Sequence, residues 1–284
     1  MTVHSVLPRR LAEAAGNVLR AAGIEHELHD DRDPMAAAEQ AVADPAAVAL
    51  IGPYRSAAIA EVVEATAPAE LPLIAPVATW AGVTRDDEPG CDDAAQSRGT
   101  VVRLVARDTV VAARIAEHVR ASGGRALVVA GDHDYGLQLD GQLRLAGLPR
   151  ADGPERADVL VLAGLEGEPE IERAAALAPL PILAFDGVQG AGLGEGRDVL
   201  LALPFEPVEG VSNDDLFAGV EHARRAARLV AAAIDERASD RASMLAALRA
   251  LGRFDEYGDP IDPPVWLWRA GPGWPLEPER ALAR

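Results

Sequence analysis

The segment from Val48 to Thr84 constrains the fold of this chain more than any other part of its sequence. Two apolar runs, VALIG and LPLIAP, each end in small or hydroxyl residues, and between them Ala57 to Ala67 has helical spacing. The pattern predicts strand, loop, helix, strand and loop, with Ser56 as the N-cap of the helix. Because neighbouring parallel strands end at one edge of a sheet, the two loops are expected to form a small-molecule site.

The rest of the chain continues this alternation of short apolar runs and helical patterns. Strands are expected at 2–7, 24–29, 48–51, 100–105, 125–130, 159–163, 182–185, 199–203 and 265–269. Helices are expected between most of them, followed by a long helix from Asp214 or Asp215 to about Arg237 and a shorter one over 239–251. The alternation predicts an α/β fold with doubly wound parallel sheets.

Two segments predict irregular structure. The polar stretch from Arg85 to Gly99, RDDEPGCDDAAQSRG, is typical of a surface loop. The glycine-rich segment 190–196 misses the G-x-G-x-x-G spacing and precedes a strand instead of a helix. It therefore favours a flexible loop over a nucleotide-binding site.

The charge of the chain argues against two classes of partner. Its 284 residues include 45 acidic and 27 basic side chains, a net charge of −18, and all of the basic ones are arginine. An acidic surface repels phosphate backbones, so nucleic-acid binding is not expected. No apolar stretch approaches the roughly 18 residues that cross a bilayer, so membrane insertion is not expected either.

The N-terminal sequence MTVHSVLPRRLAEAAG places its arginines after a short apolar run and offers no cleavage site typical of a leader. It predicts a cytoplasmic protein, or an extracytoplasmic one if a leader was removed. The lone Cys91 is compatible with a reducing compartment, since it has no partner for an internal disulfide.

The sequence predicts no metal site, no cofactor and no enzymatic activity. On a strand, His26 points away from His29. The three adjacent residues Asp132, His133 and Asp134 lie on one turn and seldom bind one ion without distant partners. The segment G-P-Y-R-S lacks the G-x-S-x-G nucleophile elbow, and no histidine follows in triad order.

The opening block also resembles a known family. The leucine/isoleucine/valine-binding branch of the type I periplasmic binding proteins has an IGP-x-x-S-x-x loop followed by P-x-I-S-P-x-A-T. The matching residues are Ile51, Gly52, Pro53, Ser56, Ile74, Pro76, Ala78 and Thr79. Further features along the chain agree in order and spacing: Arg103 before Asp108, GDHDYG, ADVLVLAG, the FDG at 185–187 and the FDEYGDP turn.

This resemblance implies two Rossmann-like lobes joined by a three-crossing hinge, with the ligand held between them. The chain would cross between lobes near Val105, Pro204 and Gly252. The resulting boundaries are 1–105 plus 208–251 for the N-terminal lobe, and 106–207 plus 252–284 for the C-terminal lobe.

The resemblance also implies roles for individual residues. Ser56 and Thr79 fall where the family binds an amino-acid carboxylate, Tyr135 where an aromatic lies beside the ligand, and Asp186 where an acidic residue takes the ammonium. From the residues alone, a helix-cap role is enough to explain Ser56, and an ordinary turn is enough to explain Asp186. The predicted ligand-binding set is Tyr54, Arg55, Ser56, Val77, Ala78, Thr79, Tyr135, Glu166 and Asp186.

Three functions follow from this pattern. The first is a non-enzymatic sensor that closes two lobes on an amino acid, amide or related polar ligand, with a regulatory protein or a second copy as partner. The second function is protein interaction by a degenerate fold with a blocked cleft. It is suggested by the bulky Arg55 and Trp80 and by loops shorter than the family's, such as the one between the first strand and its helix. The third is an exported transport receptor whose leader was removed.

Overall fold

A computed structural model describes residues 1–85, 99–177, 180–188, 198–270 and 276–282. Most of the predicted polar loop, including Cys91, and the glycine-rich segment 190–196 lie outside these residues. The chain divides into two compact units. The first unit comprises Met1–Val105 and Val208–Pro263, and the second comprises Ala106–Pro207 and Pro264–Arg284.

The helices and strands alternate through most of the chain. The strands are β1 Thr2–Val6, β2 Glu25–His29, β3 Ala47–Ile51, β4 Leu73–Ala75, β5 Val101–Arg103, β6 Ala126–Ala130, β7 Val159–Ala163, β8 Ile182–Ala184, β9 Val199–Leu203, β10 Trp266–Ala270 and β11 Leu276–Ala281. The α-helices are α1 Arg9–Ala21, α2 Pro34–Ala43, α3 Ser56–Thr66, α4 Asp108–Ala121, α5 Asp134–Leu145, α6 Pro169–Leu177, α7 Asn213–Phe217, α8 Val220–Asp235 and α9 Arg241–Gly252.

Each unit is built on one sheet. The first has the strand order β2-β1-β3-β4-β5 with every pair parallel. The second has the order β11-β10-β9-β8-β7-β6, in which β6 to β9 are parallel and β10 and β11 are antiparallel. The predicted α/β class is confirmed, with sheets that are mainly parallel.

Apolar packing on both faces explains why the central strands are continuous hydrophobic runs. Strand β3, AVALI, is buried at every residue. On one face, Ile51 belongs to a cluster with Leu11 of α1 and Val230 of α8. On the other, Leu50 packs in a cluster with Ile59 of α3. The sheet is therefore covered on both sides, and only its strand ends are left for a site.

The sequence did not predict three features of the elements. Strand β11 reads LEPERA, and its exposed residues give no strand pattern. The predicted long helix is two helices, α7 and α8, because Gly219 between them has a φ of +78°. The helix predicted from Ala57 begins at Ser56, with Arg55 as its N-cap residue, so Ser56 is not the predicted cap.

The segment 252–263 packs with the first unit, whereas the sequence assigned it to the second. Two carboxylates of this segment explain the difference. Asp259 lies 2.9 Å from Arg103 of β5, and Asp255 lies 2.5 Å from Arg85. These ion pairs hold the FDEYGDP turn against the sheet of the first unit.

Candidate functional site

In the first unit, the chain leaves β3 through a glycine that the fold requires. Gly52 has a φ of +102°, and a Cβ there would lie 2.3 Å from the carbonyl oxygen of Val6. Only glycine allows this approach. The loop that follows, with Tyr54, Arg55 and Ser56, therefore starts at the carboxyl edge of the sheet, close to the end of β1.

The loops after β3 and β4 meet at this edge. The hydroxyl of Ser56 accepts a hydrogen bond from the backbone N–H of Trp80 at 3.4 Å. Ala78 and Thr79, which precede Trp80, are both buried. The structure thus brings Ser56 beside the segment of Thr79, and the Ser56 hydroxyl connects two loops instead of capping α3.

Arg103 holds the loop after β4 in place. Its guanidinium is fully buried and donates to the carbonyl oxygens of Ala78 at 3.3 Å and Trp80 at 2.9 Å. It also donates to the hydroxyl of Thr84 at 2.7 Å. Buried carbonyl groups without partners are costly, so one arginine fixes the backbone that presents Thr79.

The remaining residues predicted in the first unit differ in exposure. Tyr54 and Val77 are half-buried and face Gly219, where an added Cβ would lie 3.3 Å from the Tyr54 ring and 3.1 Å from Val77. Arg55 is exposed. The indole of Trp80 packs on its own turn, since a Cβ on Gly82 would lie 2.3 Å from the ring.

In the second unit, the loops after β6, β7 and β8 converge. The Tyr135 hydroxyl donates to Asp186 Oδ1 at 3.3 Å, and the N–H of Glu166 donates to the Gly187 carbonyl at 2.8 Å. A Cβ on Gly187 would lie 2.5 Å from the Gly164 carbonyl oxygen and 3.1 Å from the Tyr135 ring. Tyr135, Glu166 and Asp186 therefore belong to one cluster of loops, although Glu166 is exposed.

Burial raises the pKa of the Asp186 carboxyl above its ordinary value. The Tyr135 hydroxyl and the backbone N–H groups of Asp186 and Gly187 oppose this rise but do not offset it. The hydrogen bonds to this carboxylate do not compensate for the hydration that it has lost. A cation bound beside it would therefore strongly stabilise its ionised form. This electrostatic situation suits an ammonium group.

Glu168 is a buried residue of these loops that the sequence prediction missed in favour of Glu166. It is 4% exposed, and its Oε2 accepts from the Leu165 N–H at 2.7 Å. Within the described part of the chain, its Oε1 has no hydrogen-bond partner. The His133 Nε2 lies 4.0 Å from this atom, and Asp132 is also close.

The only local signal for Glu168 was its position before Pro169 at a helix start. Its burial depends on two distant glycines. A Cβ on Gly131 would lie within 2 Å of its carboxylate, and one on Gly164 would lie 2.3 Å away. Glu168 is therefore the distant carboxylate near Asp132 and His133 that the sequence did not reveal.

Comparison with solved structures gives the fold. An ABC-transporter substrate-binding protein from Desulfitobacterium hafniense, in complex with leucine, is 18% identical, covers 98% of this chain and 99% of its own, and has a TM-score of 0.75. A branched-chain amino acid transporter substrate-binding protein from Streptococcus pneumoniae, in complex with isoleucine, is 17% identical over 99% and 98%, with a TM-score of 0.72. A periplasmic binding protein type 1 from Bordetella pertussis is 18% identical over 99% of both chains, with a TM-score of 0.68.

The chain has the type I periplasmic-binding-protein fold. The fold that the sequence resemblance implied is thus confirmed. No protein-family model and no curated protein matches the sequence. Among the described residues, no helix is both long and apolar enough to cross a membrane.

Proposed function

We propose that this chain is a non-enzymatic binding protein for an amino acid, an amide or a related small polar molecule. The observation that supports this best is Asp186, a partly buried carboxyl beside the Tyr135 hydroxyl, with a raised pKa, at a strand end of the second unit. Similar solved structures are substrate-binding proteins in complex with leucine or isoleucine. In our proposal, Asp186 takes the ammonium of the ligand.

The carboxylate of the ligand is assigned in this proposal to the first unit. The first N–H groups of α3 have no intrahelical acceptors, and the helix dipole makes its start favourable for an anion. Ser56 is the first residue of that helix and lies beside Thr79 and Trp80. Two hydroxyls and the start of an eleven-residue helix form a suitable carboxylate site.

A ligand bound by both units would stabilise the arrangement in which both contact it. That population shift is the signal we propose for a sensor. The cytoplasmic setting and the regulatory partner or second copy remain predictions. Fractionation of cells that express the natural gene tests the first, and size-exclusion chromatography with and without ligand tests the second.

The blocked-cleft alternative relied on Arg55, Trp80 and the shortened loops. The Trp80 indole packs on Gly82 within its own unit, so its bulk alone no longer argues for an obstructed site. The transport-receptor alternative needs the same ligand chemistry as the sensor. The reading frame upstream of the chain distinguishes these two.

The experiment is a thermal-shift screen with the twenty amino acids and their amides, followed by calorimetry of each hit. A ligand at 100 times its Kd adds about 2.7 kcal/mol to the free energy of unfolding, which is readily detected. The variant Asp186→Asn should lose binding of amine ligands. The matched control Asp152→Asn, which removes an 83% exposed carboxylate of the same unit, should bind normally. Absence of stabilisation across the panel would contradict the proposal.

A further inference from the structure

Three residues of strands β1 and β2 direct their side chains to one face of the first sheet. In the parallel register, His4 lies opposite Glu27, and Val6 lies opposite His29. Because side chains two residues apart on a strand point the same way, His4, Glu27 and His29 share that face. His26 lies on the opposite face, where its Nε2 is 2.8 Å from the Ser5 hydroxyl.

The donor atoms of these three side chains converge. His4 Nδ1 lies 2.7 Å from His29 Nε2 and 3.7 Å from Glu27 Oε2. The centroids of the His4 and His29 rings are 5.0 Å apart, and the two ring planes differ by 9°. Because the nearest nitrogens are only 2.7 Å apart, the rings must lie end to end and not face to face. One histidine ring nitrogen therefore points directly at another, with a carboxylate oxygen beside them.

The outer nitrogen of the His4 ring is oriented by a hydrogen bond. His4 is 1% exposed, and its Nε2 lies 3.0 Å from Asp44 Oδ2. A carboxylate behind an imidazole is the arrangement that orients metal-ligating histidines.

We infer that His4, His29 and Glu27 form a site for Zn²⁺ or a similar borderline divalent ion. Two imidazoles and one carboxylate suit such ions, with water as a fourth ligand. Nitrogens about 2.0–2.1 Å from a tetrahedral zinc lie about 3.3 Å apart. The two rings must therefore separate by about 0.6 Å from their 2.7 Å contact. His29 can supply this shift, because it is the last residue of β2, an edge strand.

The test uses the full chain without a polyhistidine tag, stripped with a chelator and titrated with Zn²⁺ against a chromophoric competitor. One equivalent should bind. Co²⁺ should give the visible absorption of a near-tetrahedral site with nitrogen ligands. The variant Asp44→Asn, which removes the negative charge behind His4, should weaken the affinity by roughly 10–100-fold.

The decisive variant is His29→Gln, because His29 is half-buried and its loss threatens folding less than that of the buried His4. It should lose the bound equivalent and the Co²⁺ spectrum while its circular dichroism stays that of the parent. The matched control His26→Gln changes the same strand on its other face and should retain both.

Two results would overturn this assignment. Failure of the parent to bind one equivalent would mean that His4 and His29 form a hydrogen-bonded pair only. Loss of the ion in His133→Gln, with retention in His29→Gln, would assign it to Asp132, His133 and Glu168 instead. Neither result bears on the amino-acid screen, so the two proposals fail separately.

Discussion

Arg103 and Asp259, 156 positions apart in the chain, form a buried ion pair, with Arg103 Nε 2.9 Å from Asp259 Oδ1. Asp259 also accepts from Thr84 at 2.7 Å and from Arg85 at 2.8 Å. One carboxylate therefore connects the turn after α9 to the arginine that holds the loop of Thr79.

Replacing this carboxylate should strongly destabilise the protein. Asp259→Asn removes the carboxylate charge that pairs with the buried Arg103 guanidinium, and removing one partner of such a pair typically costs about 3–5 kcal/mol. Urea denaturation followed by circular dichroism measures the change. Glu13→Gln breaks the exposed pair with Arg9 and should change the midpoint little. Equal effects of the two variants would contradict the proposed role of burial.

Gly187 is predicted to be irreplaceable at the convergence of the second-unit loops. In Gly187→Ala, the new Cβ would lie 2.5 Å from the Gly164 carbonyl oxygen, so the backbone must move, at a cost of about 1–3 kcal/mol. The control is Gly141→Ala in α5, where a Cβ meets nothing within 4 Å. That variant should gain up to about 1 kcal/mol from helix propensity. Thermal melts in which Gly187→Ala matches the parent would disprove this packing.

His222 should make the stability fall in mild acid. Burial, and secondarily Arg225, lowers the pKa of His222 to about 4 in the folded protein, whereas an unfolded histidine titrates near 6.5. The unfolded state therefore binds more protons between these values. Stability should decrease as the pH falls from about 6.5 to about 4, by about 3 kcal/mol for this residue, and level off below.

Unfolding free energies of the parent and His222→Gln across pH 4 to 7.5 measure this contribution. The variant should have the shallower slope, while His133→Gln, which changes a 71% exposed side chain, should follow the parent. Parallel curves for the parent and His222→Gln would exclude His222 as the source.

Asp186 should couple ligand binding to proton release. Because burial raises its pKa, an ammonium that requires the ionised carboxylate must displace any proton bound there. The affinity for amine ligands should rise as the pH increases through this raised pKa and become constant above it. Calorimetry in buffers of different ionisation enthalpy should detect the released proton. If binding to Asp186→Asn releases the same proton, the proton comes from another group.

Much of the fold followed from the sequence, because hydrophobic periodicity is a local property. The predictions of Val199–Leu203 and Val159–Ala163 as strands match the structure residue for residue. Strand β11 was missed because LEPERA, on an exposed edge, is specified by its pairing with β10 and not by its own pattern.

The candidate site was predictable only in part. Spacing and resemblance pointed to Ser56, Thr79, Tyr135 and Asp186, because loops at the ends of parallel strands share an edge. Spacing could not reveal that Glu168, and not Glu166, is buried, since that depends on glycines at 131 and 164 in other loops.

By itself, the sequence determined the order of strands and helices, the parallel sheets and the loops at their ends, since each depends on neighbours within a few residues. Only the tertiary structure decided which side chains meet. Arg103 with Asp259, His4 with His29, and Tyr135 with Asp186 are contacts between distant segments. Sheet register and backbone approach fix such contacts, and neither is encoded in local spacing.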